Sequence, residues 1–177
     1  MSGETLRRRR LIGMAAYIAF GLAILFFALM PLNPGRPGLP GPDLMLCLTF
    51  AWVLRRPDHL PAAIIVALAL IGDFLLGRPL GLWSLFILAG SELLRPRALR
   101  WRDQAFLFEW LRVSLLMGLM LIGSRLMMVL FLLPVPALGP VMLQWLATVM
   151  AYPLMVLAVQ SVGIRRLSAA EIEMMVH

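Results

Sequence analysis

Six apolar segments, separated by short polar stretches, follow one another along the chain. The first segment, residues 11–30, has twenty residues without a charge, and a helix of that length crosses a hydrocarbon core of about 30 Å. Apolar runs this long are typical of membrane-spanning helices, whereas a helix at the surface of a soluble protein carries a polar face. The pattern predicts six spans, over residues 11–30, 43–55, 61–77, 80–94, 104–133 and 141–163.

Two of the predicted spans have unusual lengths. The second holds only eleven consecutive apolar residues, 44–54, so it needs local thinning of the bilayer, flanking polar residues or burial within the bundle. The fifth covers thirty residues, about 45 Å of helix, and is therefore tilted, kinked or projecting. Residues 31–43 contain five prolines and three glycines, a composition that predicts an irregular loop outside the membrane.

Composition supports the same class of protein. Apolar residues make up 62% of the 177 residues, charged residues make up 14%, and the mean hydropathy is +0.91. Soluble domains carry about 45–50% apolar and about 25% charged residues. Because six spans use most of the chain, the sequence predicts a single all-α transmembrane domain, a polytopic helix bundle, with a cytoplasmic tail at residues 164–177.

The net charge of +7 becomes a topology signal once the basic positions are located. All 16 basic residues are arginines, and twelve of them form four clusters separated by pairs of apolar segments. Since cytoplasmic loops are enriched in basic residues, this alternation predicts that the clusters and both termini are cytoplasmic. The clusters are Arg7 to Arg10, Arg55 with Arg56, the four arginines Arg95, Arg97, Arg100 and Arg102, and Arg165 with Arg166.

The five tryptophans fit this topology. Tryptophan prefers the headgroup level of a bilayer, and each of the five lies near the end of a predicted span. Those predicted at inner ends are Trp52, Trp101 and Trp110, and those at outer ends are Trp83 and Trp145.

Three polar residues are predicted to meet in the outer half of the membrane. Asp73 lies about 18 Å along the third helix, Arg125 about 31 Å along the fifth, and Gln144 near the outer end of the sixth. A charge in hydrocarbon is costly, so each ionisable group needs a partner, water or a function. The cluster either holds helices together, with its charges reaching the interface, or forms a pocket for a small ligand or an ion.

Two further sets of residues are predicted to make helix contacts. On the inner side, Glu109 and Arg112 are spaced i, i+3 and can form a salt bridge, and Glu92 reaches the same depth from the fourth helix. Small residues recur on the first span at the spacing of helix contacts, at Ala15, Ala19 and Ala23. Such a stripe indicates close packing, either within the bundle or against a partner helix.

No residue set in the sequence matches an enzyme. Cys47 is the single cysteine, and the two histidines, His59 and His177, are far apart in sequence. The serines have no plausible histidine partner, and no glycine-rich loop could hold a phosphate. We therefore expect no enzymatic activity, no cofactor and no metal and, because the arginines mark topology, no nucleic-acid partner.

Residues 72–82, Gly-Asp-Phe-Leu-Leu-Gly-Arg-Pro-Leu-Gly-Leu, resemble the rod shape-determining protein MreD family. In that family a span ends in an acidic residue, followed by Gly and a Leu-Gly turn into the next span. The likeness extends over residues 42–94 and includes the second span, which ends at Arg-Arg-Pro. The resemblance implies that the tip of a tight helical hairpin is structurally essential, with Asp73, Gly77, Arg78 and Gly81 as its candidate residues.

The resemblance also implies a function. MreD proteins are non-enzymatic scaffolds of the bacterial cell-wall elongation complex in the inner membrane, and regulate cell shape by binding MreC. Through MreC they are associated with MreB, RodZ, the RodA glycosyltransferase and its class B transpeptidase partner. The family is also similar to the substrate-binding subunits of energy-coupling-factor vitamin transporters, which are six-helix bundles. A substrate-binding subunit of a small-solute transporter is therefore the alternative, and it predicts an outward-facing cavity near the polar cluster.

Overall fold

The computed structural model describes residues 3–30, 41–100 and 104–161. Within these ranges the fold is all-helical, as predicted, with six main helices and a single four-residue helix, α5. The helices are α1 (Gly3–Leu29), α2 (Leu44–Arg55), α3 (Ala62–Leu75), α4 (Leu82–Leu94), α5 (Arg97–Arg100), α6 (Phe106–Leu130) and α7 (Leu138–Ser161). The predicted tail at 164–177 lies outside the described residues.

Helix α2 occupies the centre of the bundle. Eleven of its twelve residues are buried, and it packs against α1, α4 and α7. Of the three arrangements that its shortness allowed, burial within the bundle is the one observed. A helix enclosed on every side has no lipid-facing stripe, which is why its apolar run shows no 3.6-residue periodicity.

The bundle has two ends, which carry different polar groups. We call one the hairpin end, because it holds the turn between α3 and α4 at residues 76–81, together with the loop 131–137 and the start of α2. The other is the arginine end, which holds Arg55 at the end of α2 and residues 95–100 after α4. The sequence predicts that the hairpin end faces outward and the arginine end inward.

Among the described helices, three are long and apolar enough to cross a membrane: the Arg7–Leu29 part of α1, α6 and α7. Helices α2, α3 and α4 have 12, 14 and 13 residues, so they are only about 18–21 Å long. Apolar side chains cover the outside of the bundle; on α6 the exposed ones include Leu107, Leu111, Leu115, Leu119, Ile122 and Leu126. An apolar exterior of this extent indicates association with a membrane.

Helix α1 has one face in the bundle and one face outside it. The buried face carries Gly13, Tyr17, Gly21 and Leu25 at four-residue intervals. At Gly13 a Cβ atom would collide with His59 of the 3-10 turn Pro57–His59, and at Gly21 with Leu68 of α3, so both glycines allow close packing. The alanines singled out in the sequence, Ala15, Ala19 and Ala23, are on the exposed face and take no part in packing within the described bundle.

Helices α3 and α4 form the predicted hairpin. Two glycines in the turn, Gly77 and Gly81, have φ angles of +62° and +83°, a backbone conformation that other residues adopt only with strain. Helix α6 is continuous over its 25 residues, about 38 Å, and is therefore much longer than α2, α3 and α4. Its additional turns extend beyond these three helices.

The interfacial role predicted for the tryptophans needs one correction. Trp52 is fully buried, with its ring 5.6 Å from that of Tyr17 in an edge-on arrangement, and it anchors α2 to α1 rather than to a headgroup layer. The sequence placed it near a span end but could not show that the whole of α2 lies inside the bundle. Trp101 lies outside the described residues.

Candidate functional site

Asp73 closes the helical hairpin. It lies in the last turn of α3 and is 1% exposed. One carboxylate oxygen, Oδ2, accepts hydrogen bonds from the backbone N–H of Gly81 at 3.2 Å and of Ser84 at 3.1 Å, and from the Ser84 hydroxyl at 2.7 Å. These N–H groups belong to the start of α4, where a helix leaves its donors unsatisfied and favours a negative charge. Asp73 thus acts as the N-terminal cap of the neighbouring helix.

This position corrects the predicted cluster of Asp73, Arg125 and Gln144. Arg125 and Gln144 both line a cavity at the hairpin end, but Asp73 does not. Its carboxylate turns toward the N-terminus of α4 because that is where the unsatisfied donors lie. The acidic residue at the cavity is Asp43 instead.

Asp43 joins several elements at the start of α2. It is the N-cap residue of α2 and its Oδ1 accepts the N–H of Leu46 at 3.1 Å. Its Oδ2 accepts hydrogen bonds from Arg78 Nη1 at 3.0 Å and from Trp83 Nε1 at 2.9 Å, and its own N–H donates to Thr148 Oγ1 at 2.9 Å. The Asp43 carboxylate therefore connects α2, the hairpin turn and α4, and the Asp43 backbone N–H adds α7.

The Arg78 side chain also contacts the Trp83 ring. The guanidinium carbon lies 5.8 Å from the ring centroid, within the range of a cation–π interaction. Arg78 was predicted as part of the hairpin tip, and the structure places it there, paired with Asp43 rather than with Asp73. Asp43 was the functional residue that sequence reasoning missed; the available signal was an aspartate directly before an apolar run, a strong N-cap pattern.

The cavity at the hairpin end has a volume of about 650 Å³. This is within the range of about 300–1,000 Å³ that small-molecule sites occupy. Its polar lining comprises Asp43, Arg78, Ser124, Arg125, Gln144 and Thr148. The remaining wall is largely apolar and includes Leu46, Leu82, Trp83, Met117, Leu121, Met128, Val141 and Trp145. Helices α2, α4, α6 and α7 thus enclose an apolar space with a few polar groups.

Arg125 and Gln144 contribute to this cavity from different helices. Arg125 is half-buried near the end of α6, and its Nη1 donates a hydrogen bond of 2.7 Å to the carbonyl of Pro136 in the following loop. Gln144 lies in the second turn of α7, and its backbone carbonyl accepts the Thr148 hydroxyl at 2.7 Å. The three charged lining residues sum to one net positive charge, since Asp43 balances one of two arginines.

At the arginine end, a second buried ion pair holds α2 to α6. Arg55 and Glu109 are 2% and 1% exposed, and Arg55 Nη1 lies 3.3 Å from Glu109 Oε1. The same oxygen accepts the Tyr152 hydroxyl at 2.9 Å, and Arg55 also donates to the carbonyl of Ala51. The sequence assigned Arg55 to a cytoplasmic cluster; the structure instead buries it as the partner of Glu109.

Glu92 and Arg112 were also predicted for inner-side ion pairs, and each has a charged or polar partner. Glu92 pairs with Arg95 on the same helix at 2.9 Å, and Arg95 also donates to the carbonyls of Pro57 and Leu60. Arg95 therefore fastens the segment after α2 to the end of α4. Arg112 donates to Gln104.

The described residues contain no group of three or more histidine, cysteine or acidic side chains placed to hold a metal ion. Cys47 is buried in α2, and its thiol donates to the carbonyl of Thr148 at 3.3 Å. It is thus a packing residue between α2 and α7.

Comparison of the chain with protein-family models, with curated proteins and with solved structures finds no match.

Proposed function

We propose that this protein is a non-enzymatic membrane scaffold of the MreD type, acting in the bacterial cell-wall elongation complex through MreC. The observation that supports it is the role of the residues carrying the resemblance: Asp73, Gly77 and Gly81 build and close the α3–α4 hairpin. A motif that fixes backbone geometry suits a scaffold, whose task is to present surfaces. The second span, which shares the resemblance, forms the centre of the bundle.

The same proposal includes six membrane crossings with both termini in the cytoplasm. Three helices have the length for this on their own. The three short helices would cross as an inner group around α2, which has an ion pair at each end: Asp43 with the part-buried Arg78, and Arg55 with Glu109, both buried. Polar groups at such depths are tolerated inside a bundle, where they are hydrogen-bonded and shielded from lipid.

We place the contact with MreC on the exposed face of α1. Small residues allow two helices to approach closely in lipid, where packing rather than the hydrophobic effect drives association. Ala15, Ala19 and Ala23 form such a face and are not used within the described bundle. Through MreC the scaffold would reach MreB, RodZ, RodA and the class B transpeptidase, with the arginine end toward the cytoplasm.

The test is purification of the tagged protein from its host membranes in mild detergent, with quantification of co-purifying MreC. We expect Ala19→Leu to reduce MreC recovery and to disturb cell shape, because a larger side chain separates the helices. The matched control is Ala67→Leu, the same change at an exposed position of α3. Absence of MreC from the wild-type sample would argue against the scaffold function. Equal recovery of MreC with both variants would argue against this contact face.

The cavity supports a second candidate, a substrate-binding subunit of a small-solute transporter. Such a subunit requires a ligand-sized space between helices, and about 650 Å³ is present at the hairpin end. The same purification separates the two functions. Co-purification of cytoplasmic ATPases and a coupling membrane subunit, without elongation proteins, would support the transporter.

A further inference from the structure

The cavity at the hairpin end contains one arginine whose charge is not balanced within it. Asp43 is 8% exposed and already accepts hydrogen bonds from three donors, Leu46, Arg78 and Trp83. Arg125 lines the same cavity, and its hydrogen bond in the structure is to a neutral carbonyl, that of Pro136. A guanidinium has five N–H donors, so a carbonyl leaves most of them available for a ligand.

The rest of the cavity selects for an apolar molecule. On the α6 side the apolar lining is Met117, Leu121 and Met128, and Trp145 of α7 adds an aromatic ring to the wall. Exposed residues nearby on the bundle, such as Leu126 and Leu132, are apolar as well. A solute carrying several charges would leave these walls in contact with polar groups, which is unfavourable.

We propose that this cavity binds an anionic amphiphile, a molecule with one phosphate or carboxylate group attached to an apolar body. The anionic group binds Arg125, which can hold two oxygens at once, and the Gln144 side chain is available as a further donor. The apolar body lies along the methionines and leucines of α6. Basic pockets between membrane helices bind lipid headgroups in the same way.

Two sources share this chemistry: an anionic phospholipid entering from the bilayer and a free organic anion entering from water. A volume of about 650 Å³ accommodates a headgroup with the first part of its chains, or a complete small solute. The proposal goes beyond the scaffold function and holds for the purified protein alone. A result without lipid or anion binding would therefore say nothing about recovery of MreC, and the two tests are independent.

The experiment is a titration of the purified, delipidated protein in detergent, with tryptophan fluorescence as the readout because Trp83 and Trp145 line the cavity. The probes are dioctanoyl phosphatidylglycerol, dioctanoyl phosphatidylcholine as the zwitterionic control with identical chains, and glycerol phosphate as the headgroup without chains. We expect saturable binding of phosphatidylglycerol and much weaker binding of phosphatidylcholine. Displacement of phosphatidylglycerol by glycerol phosphate would assign the site to free organic anions, and lack of displacement would assign it to the lipid.

Variants of α6 identify the site. Arg125→Gln should weaken phosphatidylglycerol binding about tenfold, the effect of losing one charge-assisted hydrogen bond. Arg125→Lys, which keeps the charge, should recover part of that loss, and Arg112→Gln, at the other end of the same helix, should bind as the wild type does. Unchanged binding by Arg125→Gln, or equal binding of both phospholipids, would overturn the proposal. Thermal unfolding of each variant establishes that it is folded.

Discussion

Removal of the Asp73 carboxylate tests the interpretation of the hairpin most directly. Asp73→Ala deletes the acceptor for two backbone N–H groups and one hydroxyl at the start of α4. Hydrogen bonds to a charged group contribute about 1.5–3 kcal/mol each, but the Ser84 hydroxyl can turn to another acceptor. A buried donor left without its acceptor costs about 1–3 kcal/mol, and two backbone N–H groups lose theirs here. We therefore expect a loss of about 3 kcal/mol in the free energy of unfolding.

The measurement is reversible unfolding in mixed micelles of mild detergent and dodecyl sulfate, followed by circular dichroism. Asp73→Asn removes the charge but keeps one oxygen acceptor. Its free energy of unfolding should therefore fall by only about 1 kcal/mol, the difference between a hydrogen bond to a charged group and a neutral one. Glu92→Gln is the control, since Glu92 is 45% exposed in its ion pair and such pairs contribute about 0–1 kcal/mol. If Asp73→Ala unfolds within about 0.5 kcal/mol of the control, the capping role is refuted.

Three further predictions use the same unfolding assay. Gly81→Ala should lower the free energy of unfolding by about 1 kcal/mol, because the φ of +83° strains any residue with a Cβ, although space is open there. No loss would mean that the turn readjusts freely. Arg55→Met should lower the free energy of unfolding by about 3–5 kcal/mol by leaving Glu109 buried without the Arg55 guanidinium. Adding Glu109→Leu should restore only part of that loss, because the Tyr152 hydroxyl then loses its acceptor. A double variant no more stable than Arg55→Met alone would contradict that reasoning. Gly90→Ala should lose about 1–3 kcal/mol, since its Cβ would lie 2.6 Å from Phe50 Cζ; wild-type stability would show that the ring moves aside.

Much of the helical framework was predictable from the sequence. Hydropathy located the six main helices, and Gly77 and Pro79 marked the hairpin turn. These features depend on local composition and on backbone preferences, which are read directly from the chain. The central position of α2 was one of three open alternatives, because an apolar segment has the same composition whether protein or lipid surrounds it.

The pairing of charged residues was less predictable. Arg55 follows an apolar run and stands beside Arg56, so its position matches a cytoplasmic loop, but its partner Glu109 lies 54 residues away on α6. The sequence also did not show which of Asp43 and Asp73 borders the cavity. Both lie at the hairpin end, and the direction of each carboxylate decides it. Such directions are set by unsatisfied donors on neighbouring helices, which the sequence does not display.

Because α2 is enclosed by other helices, its sequence should tolerate substitutions differently from that of a helix at the outside of the bundle. On α6, tolerance to substitution should rise and fall with the helical repeat, because its outward side chains are exposed on the outside of the bundle. Along α2, where residues Met45 to Arg55 are all buried, saturation mutagenesis should find a continuous block of eleven sensitive codons with no such alternation.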